Sequence, residues 1–258
     1  MDELRYLDLT LPAPSENLAC DEALLDCYEA GDGHSPGVLR FWEPRQHFVV
    51  LGYANKAANE ADLKACQSHQ IPILRRCSGG GAVLQGPGCL NYTLVLKIQD
   101  KLESITETNC FVMKRNAAAI STLLAETATV EGFTDLAVNR LKFSGNSQRR
   151  KRHFLLFHGT FLLDFDLKAM QKFLRLPSKQ PAYRQDRSHE AFLTNLHLPA
   201  LSVKDALRNT WNATQPLEPF PRSIIDELVK EKYSQDAWNL KPELCNRSAD
   251  VSSAGTYK

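Results

Sequence analysis

Strand-like and helix-like hydrophobic patterns alternate along this chain, with no internal repeat. Leu4–Leu9 reads as a first strand. Pro14-Ser15 then opens a helix that sets Ala19, Ala23 and Cys27 on one face. Val38–Trp42 and Phe48–Gly52 read as two strands across the turn Glu43-Pro44-Arg45-Gln46. A short helix over Glu60–His69 and a strand over Ile71–Leu74 follow. The recurrence of Val112, Ala119, Ile120 and Leu123 predicts the longest helix over Glu103–Glu126. Leu136–Val138 and Leu141–Gln148 pattern as a hairpin turning at Asn139-Arg140, without the usual glycine. Phe154–Phe165 is apolar on both faces, as a strand in the middle of a sheet should be. Helices near Val203–Trp211 and Ile224–Lys232 close the pattern, and from Asn246 the composition turns into a loose polar tail. The sum is one α+β domain on a mixed sheet.

Composition narrows the partners. The chain has 258 residues and a net charge of +1 from 31 basic and 30 acidic side chains, which favours neither nucleic acid nor a membrane surface. The first residues, MDELRYLDL, form no signal segment, and no apolar run is long enough to span a bilayer. Seven scattered cysteines with no CxxC pair suit a reducing, cytoplasmic setting better than a disulfide framework or a zinc site. Three Asn-x-Ser/Thr sequons, at Asn91, Asn212 and Asn246, then read as chance.

Three segments carry chemistry. The first is Arg75-Arg76-Cys77-Ser78-Gly79-Gly80-Gly81-Ala82-Val83-Leu84, followed by Gly86-Pro87-Gly88 and a strand containing Asn91-Tyr92-Thr93. Glycines let a ligand approach backbone N–H groups, and two arginines at the mouth suit phosphate or carboxylate. A glycine-rich hairpin beside an accidental arginine pair accounts for the same spacing. The run is neither a GxxxxGK[ST] phosphate loop, nor a GxGxxG fingerprint opening a helix, nor a GxSxG elbow. The second segment, Leu141–Arg149, alternates as a strand with Lys142, Ser144, Asn146 and Gln148 on one face and Phe143, Gly145 and Ser147 on the other. Lys142 there is either a pocket cation or a solvated edge lysine, and Arg149–Arg152 extends the positive charge. The third is His158-Gly159-Thr160, where a glycine inside a buried strand points to close approach by a ligand or another backbone. His158 reads as an acid or base, or as a satisfied core histidine. No HExxH or other direct protein ligand set for a metal is present.

Taken in order, these motifs closely resemble the lipoate–protein ligases, in the superfamily shared with octanoyl transferases and biotin–protein ligases. Asn17-Leu18-Ala19 with Glu22, Leu39-Arg40-Phe41-Trp42, Asp135-Leu136, and Lys232-Tyr233…Trp238-Asn239 agree as well, so the resemblance spans roughly residues 4–240. It implies a biotin/lipoate ligase catalytic-domain fold, class II synthetase-like, with a mixed and largely antiparallel sheet flanked by helices. The implied boundaries are a catalytic domain over 1–245 and a tail over 246–258, without the accessory C-terminal domain of the long ligases.

The resemblance also implies a reaction: ATP-dependent activation of lipoate or octanoate to acyl-AMP, then transfer to a lysine of a lipoyl-domain protein. Lys142 matches the family's catalytic lysine. Arg76, Gly81, Ala82, Val83, Leu84 and Lys142 match its nucleotide-binding positions. Ser78, Gly79, Gly80, Lys142, Arg149, His158 and Gly159 match its lipoate-binding ones. Mg2+ on the phosphates is expected on chemical grounds. Val49–Leu51 with Gly52 would wall the acyl tunnel or simply pack the core. The implied acceptors are dehydrogenase E2 subunits, glycine-cleavage H protein or similar, with a separate accessory subunit as a further partner. Octanoyl transfer without ATP is the nearest alternative and needs a nucleophilic cysteine. In one branch of transferases that cysteine stands three residues before the His-Gly pair, where this chain has Leu155. In another it lies before the lysine hairpin, yet no cysteine occurs between Cys110 and Cys245. Cys77 reads as a small pocket residue. A non-catalytic lipoyl-binding subunit is a further alternative, and biotin ligation lacks its GRGRxxxxW-like segment.

Overall fold

Among the described residues, which are 3–31, 37–177 and 179–241, the computed structural model contains two sheets. Cys245, the Asn246 sequon and the polar tail lie outside them. The chain runs β1 (Leu4–Asp8), α1 (Pro14–Ala30), β2 (Val38–Trp42), β3 (Phe48–Leu51), α2 (Ala57–Glu60), α3 (Leu63–Ser68), β4 (Ile73–Arg75), β5 (Val83–Gln85) and β6 (Cys89–Lys97). It continues through α4 (Ile105–Ser121), β7 (Thr129–Glu131), β8 (Asp135–Val138), β9 (Leu141–Arg150), β10 (Phe154–Leu162), α5 (Leu167–Phe173) and α6 (His189–Phe192). The last elements are α7 (Ala200–Thr210), β11 (Ala213–Pro216), α8 (Arg222–Leu228) and α9 (Asp236–Asn239).

The large sheet has the order β11-β1-β2-β6-β10-β9-β8-β7, and the small one β4-β3-β5. In the large sheet β1 runs parallel to β11 and β2, and the other pairings are antiparallel. The expected mixed, largely antiparallel sheet is therefore present, and β10 lies inside it as its two-faced apolar pattern required. Side chains alternate across β10. Leu155, Phe157 and Phe161 pack with Val112 and Met113 of α4 and with Val203, Leu207 and Trp211 around α7. Phe154 and Leu156 pack on the other face with Leu24 and Leu25 of α1 and Ile225 of α8. A third core joins the small sheet to α3 and α5.

Two expectations from the pattern fail for clear reasons. The strands flanking Glu43–Gln46 are not a hairpin. Both edges of β2 are already paired, with β1 and β6, so the chain crosses to start the second sheet with β3. The helix expected over Glu103–Glu126 is shorter, and matches α1 at 17 residues. Ser104 caps its start by accepting the Glu107 N–H. At its end the Ser121 hydroxyl donates to the Ala117 carbonyl and accepts the Ala128 N–H, which turns the chain away.

Candidate active site

Strand register assembles the site. Arg40 on β2 lies opposite Thr93 on β6, Thr93 opposite His158 on β10, and His158 opposite Ser147 on β9. A row of four polar side chains thus crosses the sheet on the face covered by α1. Arg40 and Thr93 are fully buried. A buried guanidinium needs partners, and α1 supplies them. Arg40 donates to Asp21 Oδ1 at 2.5 Å, to the Asn17 carbonyl at 2.9 Å and to Asn17 Oδ1 at 2.8 Å. The other Asp21 oxygen, Oδ2, lies 3.2 Å from His158 Nδ1. Burial alone would raise the Asp21 carboxyl. Arg40 and the His158 contact outweigh it and hold Asp21 below the usual carboxylate range.

The glycine run is the turn that joins β4 to β5 in the small sheet. The two arginines expected at its mouth bond backbone carbonyls instead, Arg76 those of the loop itself and Arg75 those that follow β3. Arg76 is buried and its guanidinium is wrapped by the loop, with Nε donating to Ser78 Oγ (3.1 Å) and Nη2 to the carbonyls of Gly79 (2.6 Å) and Gly81 (2.8 Å). Arg75 points away from the loop and holds the Gly52, Tyr53 and Asn55 carbonyls. It is also cross-bonded to the end of the fold. Its Nε donates to the Trp238 carbonyl, Trp238 Nε1 donates back to the Arg75 carbonyl, and its own N–H reaches Asn239 Oδ1. A tight loop leaves several carbonyls without backbone donors, and a guanidinium with five N–H groups satisfies them. Gly80 has φ +86°, and a side chain there would meet Arg76. Side chains at Gly79 and Gly81 would meet only open space.

The loop is docked onto the polar row. Ser78 Oγ is 2.6 Å from His158 Nε2, Ser147 Oγ donates to the Gly79 carbonyl at 2.9 Å, and Arg149 donates to the Cys77 carbonyl at 3.0 Å. Of the residues downstream in the run, Leu84 and Ala82 pack in the third core and Val83 beside α1. Val49, Val50 and Leu51 are core residues as well.

Lys142 reaches this face by an irregularity. Asn139 and Arg140 both adopt positive φ (51° and 63°), as a two-residue hairpin turn demands even without glycine. Leu136 then pairs with Ser144 but Ala137 pairs with Lys142, leaving Phe143 as an extra residue on β9. Phe143 is buried and stacks on Phe161. This bulge overturns the strict alternation expected for the segment. A Cβ on Gly145 would lie 2.9 Å from Lys142 Nζ, so Lys142 is on the side of Gly145 and Ser147. Ser144, Asn146 and Gln148 do not share that side. Asn146 accepts from Tyr92 Oη and Gln148 bonds Asn109 of α4. Lys142 Nζ is paired with Asp135 Oδ1 at 2.7 Å, and Asp135 Oδ2 accepts from Tyr183 Oη at 2.8 Å.

Gly159 differs from its expected role. A Cβ there would fall 1.7 Å from Asn146 Oδ1, so the close approach that requires glycine is made by Asn146, on the face opposite His158. Cys77 is buried, and desolvation, with Glu22 adding to it, pushes its thiol up to about 12. Glu22 is held by Lys232 Nζ and Tyr233 Oη. No motif in the sequence gives Asp21, Arg40, Thr93 or Ser147 a role of its own. The available signal was a charge inside an apolar run (Val-Leu-Arg-Phe-Trp in β2, Asp21-Glu22 in α1), which demands a buried partner.

The sequence profile of the lipoyl protein ligase A/B catalytic domain matches residues 13–209. The chain belongs to that family. Members most similar to it include the octanoyltransferase LipM of Geobacillus kaustophilus, 24% identical over 92% of this chain and 98% of that protein. "Probable lipoate-protein ligase A" of Mycoplasma pneumoniae is 27% identical over 88% of this chain and 68% of that protein. Among solved structures, a bi-partite lipoate protein ligase from Thermoplasma acidophilum superposes with a TM-score of 0.80 at 24% identity, covering 93% of this chain and 97% of that one. A lipoate-protein ligase A bound with ATP superposes equally well, at TM-score 0.80 and 24% identity, over 93% and 99% of the two chains. These likenesses establish the ligase catalytic-domain fold. In this member of the family Leu155 is fully buried in the α4-side core. Among the described residues no helix is long and apolar enough to cross a membrane.

Proposed function

We propose that this chain activates lipoate or octanoate with ATP and transfers the acyl group to a lysine of a lipoyl domain. The observation that carries the reading is the state of the cysteines. Leu155 stands at one transferase position, and the thiol nearest the chemistry, Cys77, is buried and raised to about 12, far from a thiolate at neutral pH. A donor activated as an adenylate needs no such nucleophile. The outer face of the loop suits a nucleotide, because Gly79 and Gly81 open onto free space and Lys142 lies on the side of the sheet to which the loop is docked. In the first step a carboxylate oxygen attacks the α-phosphorus and pyrophosphate leaves. In the second the lysine amine attacks the acyl carbon and AMP leaves. Both steps build negative charge on oxygen, which Lys142 and the loop N–H groups are positioned to stabilise. Magnesium is carried by the nucleotide phosphates. The acceptor is an E2 subunit, an H protein or a similar lipoyl protein. A separate accessory subunit, the arrangement of the bi-partite archaeal ligase, is the natural companion.

Octanoyl transfer from a carrier protein is the second reading, favoured by the octanoyltransferase names of several relatives. Intact-mass measurement of an apo lipoyl domain separates the two. We expect one added lipoyl group with ATP, magnesium and lipoate. Modification from octanoyl carrier protein in the absence of ATP would overturn the ligase reading.

A further inference from the structure

The polar row contains a hydrogen-bonded chain that runs Ser78 Oγ to His158 Nε2 (2.6 Å), His158 Nδ1 to Asp21 Oδ2 (3.2 Å), and Asp21 Oδ1 to Arg40 (2.5 Å). We propose that this chain is a proton relay in which His158 takes the proton released when the acceptor lysine attacks the acyl carbon, and Ser78 is the atom bridge through which it passes. The inference rests on acyl transfer to an amine, the second step above, and nothing in it depends on how the donor was activated.

The partners fix the proton positions. Asp21 is ionised, so it can only accept, and His158 Nδ1 must carry a hydrogen. The neutral ring then has a bare Nε2, which accepts the Ser78 hydroxyl. Arg76 Nε donates to the same Ser78 oxygen, which leaves its hydrogen free to point only at the ring. Each donor and acceptor is matched in one direction, from the loop inward. The charged and polar groups on the imidazole's side of the sheet are Asp21 from α1, Arg40 and Thr93 along the sheet row, Ser147, Arg149 and Lys142 from β9, and Ser78 with Arg76 from the loop.

The step balances. The amine nitrogen forms a bond to the acyl carbon and becomes cationic. It gives a proton to Ser78 Oγ as the serine proton moves to Nε2. The acyl–oxygen bond to AMP, or the acyl–sulfur bond to a carrier thiol, then breaks. Asp21 and Arg40 hold the imidazolium until it returns the proton to solvent or to the leaving thiolate. A lysine amine adding to an acyl carbon cannot give a stable amide without this loss. His158 is a catalytic residue in this scheme, Ser78 its bridge, and Asp21 a positioning residue.

The test is single-turnover transfer from preformed lipoyl adenylate to an apo lipoyl domain, followed across a series of buffered pH values. His158→Gln and Ser78→Ala are expected to slow transfer by about 10²–10⁴-fold and to flatten the wild-type rise of rate with pH. Asp21→Asn should lower the rate and displace the pH profile. Circular dichroism confirms folding, and Ser78→Ala, the smallest change, serves if the buried variants fail to fold. Wild-type rate and profile in folded His158→Gln or Ser78→Ala would overturn the relay. If wild-type protein transfers only from octanoyl carrier protein, the adenylate reading falls, and the same variants decide the relay in that assay.

Discussion

At the residue scale Lys142 is partly open, with a quarter of its side chain exposed and Asp135 as its ion-pair partner. Removing a surface-facing ammonium costs little packing, so Lys142→Ala should fold normally. Transfer to a lipoyl domain should nonetheless fall by about 10²–10³-fold, the usual size of losing one charge-stabilising group. Steady-state rates beside a thermal melt check both halves of that statement. The sequence motifs single out Ser78, Arg149 and His158, and the structure brings them together where the glycine loop meets the sheet. Asp21 and Arg40 were not legible in the sequence, since a lone charge in a strand or helix names its need for a partner but not the partner. Arg75 and Arg76 misled for a related reason: a guanidinium beside glycines is written identically whether it serves a ligand or the loop's own carbonyls.

At the element scale the decisive object is β9. Its hairpin was legible from Leu136–Val138 and Leu141–Gln148, but the bulge at Phe143 was not, because one extra residue leaves no mark in a short polar segment. What fixes the strand beyond the bulge is the network on the α4 face. Asn146 donates to the Thr134 carbonyl and accepts from Tyr92, Tyr92 accepts from Asn116, and Asn116 accepts from Trp211. Gly159 is the gap through which Asn146 passes. Gly159→Ala should therefore destabilise the protein by about 1–3 kcal/mol through overpacking. In an Asn146→Ala background the same change should cost at least about 1 kcal/mol less, the coupling expected of touching residues. Urea titrations of the four-member cycle give the number, and additivity would show that Asn146 is not what the glycine accommodates.

At the scale of the whole molecule, the site lies where the loop of the small sheet meets the α1 face of the large one, and acid should loosen it. His189, buried on α6, has its imidazole pushed down from 6.5 to about 4 by burial and by the charges of Arg184 and Lys142. The folded protein thus resists a proton that the unfolded chain accepts. The contribution of His189 to stability is therefore expected to be full above pH 6.5 and to fall as the pH drops toward 4, by on the order of 3 kcal/mol. Asp21 has the opposite chemistry and a lower window. Its folded carboxyl is depressed, so its contribution is present above the ordinary carboxylate range and is lost as pH falls through it. Denaturation midpoints from pH 4.5 to 7.5 should flatten in His189→Gln, and an unchanged slope would remove His189 as the cause. The cross-bonds between Arg75 and the pair Trp238-Asn239 join positions 163 and 164 residues apart in sequence. A ribosome must therefore release the chain through Asn239 before the base of the glycine loop can be fastened, which makes that loop a late-secured part of the described fold.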